Sequence, residues 1–171
     1  MSLIPMKGGS GGKKEEDYTS PDGVVVSSTP LATANHVNEY FMSYLFSGTE
    51  TGSWEDTWKT VPGKATTLTF TFPAPTRLAR IRFYTTDIAH WSGITAYSLS
   101  VQYSDARDDF IVEETSVERG IWVEIDLPTA LSPSSSARGV YTPMVSSFSL
   151  DLSTTKQHIG LDSVELFQAA S

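Results

Sequence analysis

Cysteine is absent from the 171 residues, so disulfides and thiolate-held metal ions are excluded. Basic charge is scarce: 12 Lys and Arg stand against 20 Asp and Glu, a formal net charge of −8. With a pI near 4.7, the chain lacks the basic surface that releases counterions from a phosphate backbone. Nucleic acid is therefore excluded as the main partner, and anionic membranes are disfavoured. No apolar run approaches the roughly 18 residues of a transmembrane helix. Histidine occurs three times, at His36, His90 and His158, with no HxH or HExxH spacing and no nucleophile-elbow serine. The acidic pairs Asp108–Asp109 and Glu113–Glu114 lie in or beside turns, and nothing opposes them as a glycosidase carboxylate pair would require. An enzyme is not expected.

The opening "MSLIPMKGGSGGKKEEDYTSPDG" is not a secretory leader, because its few apolar residues give way at once to Gly, Lys and Glu. Gly8 to Gly12 have linker composition and Lys13 to Asp17 that of a solvated charged run. Residues 1–20 are therefore expected to be a flexible tail or linker, and 21–171 one folded domain, cut from a larger chain.

What remains is dominated by a period of two. "TLTFTF" sets Leu68, Phe70 and Phe72 against Thr67, Thr69 and Thr71. "RLARIRFYT" sets Ala79, Ile81 and Phe83 against Arg80, Arg82 and Tyr84. "YSLSVQYS" sets Leu99, Val101 and Tyr103 against Ser98, Ser100 and Gln102. "GIWVEIDLP" sets Ile121, Val123, Ile125 and Leu127 against Trp122, Glu124 and Asp126. "SSFSLDLS" supplies Phe148, Leu150 and Leu152. Shorter candidates are 24–28, 110–114 and 159–168. These are about eight strands separated by Pro, Gly, Asp and Ser turns, each with one covered and one wet face. The expected architecture is all-β: a two-sheet antiparallel β-sandwich of jelly-roll type. One helix is expected, over Val37 to Phe46.

The order of four segments resembles the discoidin, or coagulation-factor type C, family and the related galactose-binding-like jelly rolls of carbohydrate-binding modules. They are "SGTETGSW" (Ser47 to Trp54), "TLTFTFPAPTRLARIRFY" (Thr67 to Tyr84), "AYSLSVQYSDARDDF" (Ala96 to Phe110) and "IGLDSVELF" (Ile159 to Phe167). The resemblance implies that Leu45, Phe46 and Trp54 are core. It also implies recognition, lectin-like, through loops at one end of the sandwich. Relatives often hold calcium beside the loop preceding that Trp. Their Asp falls here on Ser47, their Thr on Gly52 and their C-terminal Glu on Glu165. Two side-chain ligands are thus missing, leaving Glu165, with Glu50 from a shifted loop, as the residues for a possible Ca²⁺. Otherwise no cofactor is expected.

Three sets of residues carry the functional alternatives. In "DIAHWSG", Asp87, His90 and Trp91 offer an acceptor, a donor and a stacking face within five residues, the mixture a sugar requires. Tyr44 and Trp58 belong to neighbouring loop segments, and Tyr141 to Met144 were expected on the same rim. Against this stands ordinary loop packing of Trp91. The third set is Trp122 with Arg80 and Arg82, which alternation places on an outer sheet face. The plain expectation there is cross-strand charge pairing, the sharper one a protein-contact patch. The leading expectation is a non-catalytic module binding a carbohydrate or glycan; the compartment is left open, extracellular for a glycan binder and cytoplasmic for an assembly module. The alternative is a protein-interaction module of an intracellular assembly, which suits the lack of leader and cysteine.

Overall fold

The computed structural model describes residues 1–11, 17–29, 42–46, 48, 58–59, 65–86, 93–131, 139–155 and 159–170. Among them two antiparallel sheets pack face to face. One carries β1 (Ser2–Leu3), β14 (Gly160–Gln168), β7 (Leu78–Thr85) and β10 (Trp122–Asp126) in that order, with β5 (Trp58–Lys59) also on β14. The other runs β2 (Ser10–Gly11), β3 (Tyr18–Thr19), β4 (Val25–Thr29), β6 (Ala65–Thr76), β13 (Val145–Ser153), β8 (Ala96–Tyr103), β9 (Phe110–Glu114). A small ribbon pairs β11 (Ala130–Leu131) with β12 (Val140–Tyr141). The eight longer strands are those the alternation predicts, and the all-β sandwich is as expected.

Registers explain why the alternation works. Leu68, Leu150 and Leu99 lie level across β6, β13 and β8, and Phe70, Phe148 and Val101 form the next inward row. Phe70 and Phe148 stack at 4.4 Å. From the facing sheet, Ile81 lies level with Leu166 and Ile125, and Phe83 with Val164. All of these are buried. Each such side chain contributes about 1.5–3 kcal/mol on leaving water, so an inward-facing polar residue anywhere in these rows is strongly disfavoured.

Alternation misplaces a few side chains where a ladder begins or slips. Ile121, expected inside, is 37% exposed. It precedes β10, and its backbone N–H donates to Thr85 Oγ1 while its carbonyl accepts from Thr85 N–H. A register irregularity between Phe167 and Gln168, opposite the start of β7, buries Leu78 and leaves Ala79 only half-buried. Of the expected helix, Met42–Phe46 forms a 3-10 helix against β14 and β5, with Leu45 and Phe46 buried; 37–41 lie outside the described residues.

The N-terminal residues correct the expectation of a flexible tail. β1 pairs with β14, the Ile4 N–H donates to the Leu166 carbonyl at 2.8 Å, and Ile4 and Met6 are buried. β2 and β3 extend the larger sheet beyond β4. Tyr18 is 1% exposed and stacks on Phe46 at 4.8 Å. Its hydroxyl accepts from the Gly9 N–H at 2.8 Å and donates to the Met6 carbonyl. Two of the glycines that gave this stretch its linker composition, Gly9 and Gly11, serve close approach instead. A Cβ at Gly9 would fall 2.1 Å from the Thr19 carbonyl oxygen, and Gly11 has φ +80°, a conformation that a residue with a Cβ rarely adopts.

Candidate binding site

Strand direction gathers the connections of interest at one end of the sandwich. β6 starts there at Ala65, level with the end of β13 at Ser153 and the start of β8 at Ala96. β7 ends there at Thr85, level with Leu161 at the start of β14. Thr86, residues 93–95, 115–121, 154–155 and Ile159 therefore lie at this end, with the start of β6. This end is knitted by backbone hydrogen bonds: Thr95 N–H to the Ser153 carbonyl, Val117 N–H to the Thr95 carbonyl, and Gly120 N–H to the Thr85 carbonyl, at 2.9, 3.2 and 3.0 Å. Thr85 Oγ1 donates to the Glu118 carbonyl at 2.8 Å. The rim thus has a hydrogen-bonded foundation.

Asp87, His90 and Trp91 lie outside the described residues. The residues that flank their loop are fixed: Thr86 and Ile94 are both buried. Trp58 lies on β5, level with Leu161, at the same end. Tyr44 sits in the 3-10 helix, half-buried and packed against the core. Tyr141 to Met144 are not at this rim. They lead into Val145, which is level with Thr76 and Tyr103 at the opposite end of the sheet. There Tyr141 accepts a hydrogen bond from Arg107 Nη2 at 2.8 Å, and Asp105 grips the same guanidinium at 2.6 Å. That pairing holds the Asp105 carboxyl below the usual carboxylate range, chiefly through the hydrogen bonds from Arg107.

Alternation gave no warning of a trough at the rim end. It encloses about 540 Å³ and is lined by Thr67, Tyr97, Ser98, Glu113, Glu114 and Asp151, among others. Thr67, Asp151, Ser98 and Glu113 lie level across four adjacent strands on the outer face. Thr67 Oγ1 donates to Asp151 Oδ1 at 2.5 Å. Tyr97, partly buried, has its hydroxyl pKa raised by burial and then by the charge of Glu114. The only signal for this row in the sequence was the run of Ser and Thr at outward positions, which also fits any wet sheet face.

On the other sheet the outer-face residues do come together. Trp122, Glu124 and Asp126 lie level with Tyr84, Arg82 and Arg80. Arg80 Nε donates to Asp126 Oδ1 at 2.6 Å. Arg82 is the hub: Nη2 reaches Glu165 Oε1 at 2.7 Å, Nη1 reaches Glu124 at 3.4 Å, and its guanidinium lies 4.0 Å from the Trp122 ring centre. Cross-strand charge pairing is therefore present as expected, with a cation–π contact worth about 0.5–2 kcal/mol added to it. Glu165, the residue reserved for calcium, spends its carboxylate on Arg82. Glu50 lies outside the described residues, and among the described residues no three His, Asp or Glu cluster as a metal site.

No protein-family profile and no curated protein sequence matches the chain. Solved structures do match. A His 62 mutant of the lectin-binding domain of lectinolysin, complexed with Lewis b, superposes with a TM-score of 0.60 at 10% identity, covering 85% of this chain and 92% of that one. A CBM32 module from Clostridium perfringens, in complex with GalNAc-β-1,3-galactose, gives 0.57 at 13% identity over 84% and 94%. The F5/8 type C domain of a Bacteroides fragilis protein gives 0.57 at 10% identity over 95% and 100%. The fold is thus that of the discoidin-like, galactose-binding-like jelly rolls.

Proposed function

We propose that the chain is a non-catalytic carbohydrate-binding module that grips a glycan through the loops at the 86–95 end of the sandwich. The observation that carries this reading is the hydrogen-bonded base formed by Thr85, Thr95, Val117, Gly120 and Ser153, with a trough beside it and "DIAHWSG" following β7 in the sequence. The fold neighbours solved with glycans support it. Asp87 and His90 are assigned to sugar hydroxyls and Trp91 to stacking on the C–H face of a ring, with Tyr44 and Trp58 as contributors. No metal is assigned, because Ser47 stands where the family has a carboxylate, Gly52 where it has a hydroxyl, and Glu165 is held by Arg82. Among the described residues no helix is long and apolar enough to cross a membrane.

A glycan-array screen of the purified protein tests the proposal. Reproducible binding to a defined set of glycans, competed by the free sugar, is the expected result; an array blank at every glycan contradicts it.

One observation favours a second reading. Trp122 and Arg82 stack on an outer face bordered by half-exposed Glu124, and Trp and Arg are enriched among interface hot spots. This supports a protein-contact patch of Trp122, Arg80 and Arg82.

A further inference from the structure

Strand β9 ends the seven-stranded sheet, and its one partner among the described residues is β8. The β8–β9 pairing runs from Val101↔Phe110 to Tyr97↔Glu114 without a register shift. Among the described residues, one side of β9 therefore presents N–H and C=O groups without a ladder partner along a five-residue edge. Edges of this kind are usually blunted by Lys, Pro, a bulge or a covering segment. β9 has neither Lys nor Pro, and the sequence has no lysine anywhere between Lys64 and Lys156. Instead it leaves Ile111 58% exposed on the outer face, with Glu113 exposed beside it. Phe110 and Val112 turn the other way and pack only partly against the core.

The charges select the occupant. Asp108, Asp109, Glu113 and Glu114 are all exposed, and no basic residue lies between Asp108 and Glu114. Arg107, the nearest in sequence before them, is held by Asp105 and Tyr141. A second copy pairing antiparallel along Phe110–Glu114 would set Glu113 opposite Ile111 and bring Glu113 and Glu114 of each copy beside Asp108 and Asp109 of the other, gathering like charge at both ends of the ribbon, which is unfavourable. An extended segment with alternate basic residues meets no such penalty. Its amides complete the ladder, its basic heads lie by Glu113, their methylene stems cover Ile111, and its alternate aliphatic side chains cover Phe110 and Val112. We infer that β9 is a strand-addition site for an extended basic polypeptide segment, on the sheet edge beside the trough that Glu113 and Glu114 also line.

The probe is a fluorescent ten-residue peptide of alternating Lys and Val, titrated by anisotropy against the whole chain. A second peptide carries N-methyl groups on alternate amides, keeping charge and removing backbone pairing. The expected result is saturable binding, weakened at least tenfold by N-methylation and at least tenfold by Glu113→Lys. The Phe110–Glu114 amides should exchange more slowly with peptide bound. Glu113 is exposed, so the variant is expected to retain the fold, which circular dichroism verifies. Equal binding of the N-methylated peptide would reduce the site to charge attraction and overturn the inference, as would no binding at all. Protection of β9 amides that rises with protein concentration in the absence of peptide would identify a second copy as the occupant and also overturn it.

Discussion

Tyr18 shows how one side chain converts a stretch of linker composition into structure. Its ring lies on Phe46, and its hydroxyl bridges the Gly9 N–H and the Met6 carbonyl. Both partners belong to the N-terminal segment, between the attachments that β1 makes to β14 and β2 to β3. Tyr18→Phe keeps the ring and strands two backbone groups, each costing about 1–3 kcal/mol when left unsatisfied out of reach of water. The expected loss is about 1–2 kcal/mol, since Gly9 is only partly buried and water recovers part of it. The urea midpoint measures it, and an unchanged midpoint would show that the hydroxyl anchors nothing. Arg82 is the corresponding hub on the opposite sheet, tying β10, β7 and β14 through Glu124, Glu165 and Trp122.

At the scale of elements, the N-terminal strap is part of the sandwich. Ile4 and Met6 are buried, and β1 adds backbone pairing to β14. Deleting residues 1–6 should therefore cost about 3–6 kcal/mol, from two apolar side chains at about 1.5–3 kcal/mol each. Chemical denaturation of the truncated chain tests this, and an unchanged stability would restore the tail. The eight longer strands were legible because alternation over five to nine residues leaves one coherent apolar face, as Leu68, Phe70 and Phe72 do. β1, β2 and β3 were not, since two residues have no period and glycine reads as entropy until its close contacts are known. The outer-face cluster was half legible. Alternation put Arg80, Arg82 and Trp122 outward, but the stacking of Arg82 on Trp122 depends on a register between strands some forty residues apart. Tyr141 to Met144 went to the wrong end because residue types reveal loop chemistry and not strand direction. The trough carried no signal, because Thr67, Ser98 and Asp151 look like any solvated positions until the ladder aligns them.

At the scale of the whole molecule, folding is expected to need no metal. Ca²⁺ takes six to eight oxygen ligands, and the one matching carboxylate, Glu165, is within 2.7 Å of Arg82. Ion binding to the folded state alone would raise the melting temperature with calcium concentration. The expected result is no shift in millimolar calcium; a rise abolished by Glu165→Gln would show a site. The central claim, glycan recognition at the loop end, is tested most directly by titrating an array-positive glycan against wild type, Trp91→Ala and Trp122→Ala by calorimetry, with the fold of each verified by circular dichroism. The account predicts that Trp91→Ala weakens binding at least tenfold in a folded protein while Trp122→Ala leaves affinity unchanged. Loss of binding in Trp122→Ala with Trp91→Ala unaffected would contradict it and move the site to the sheet face.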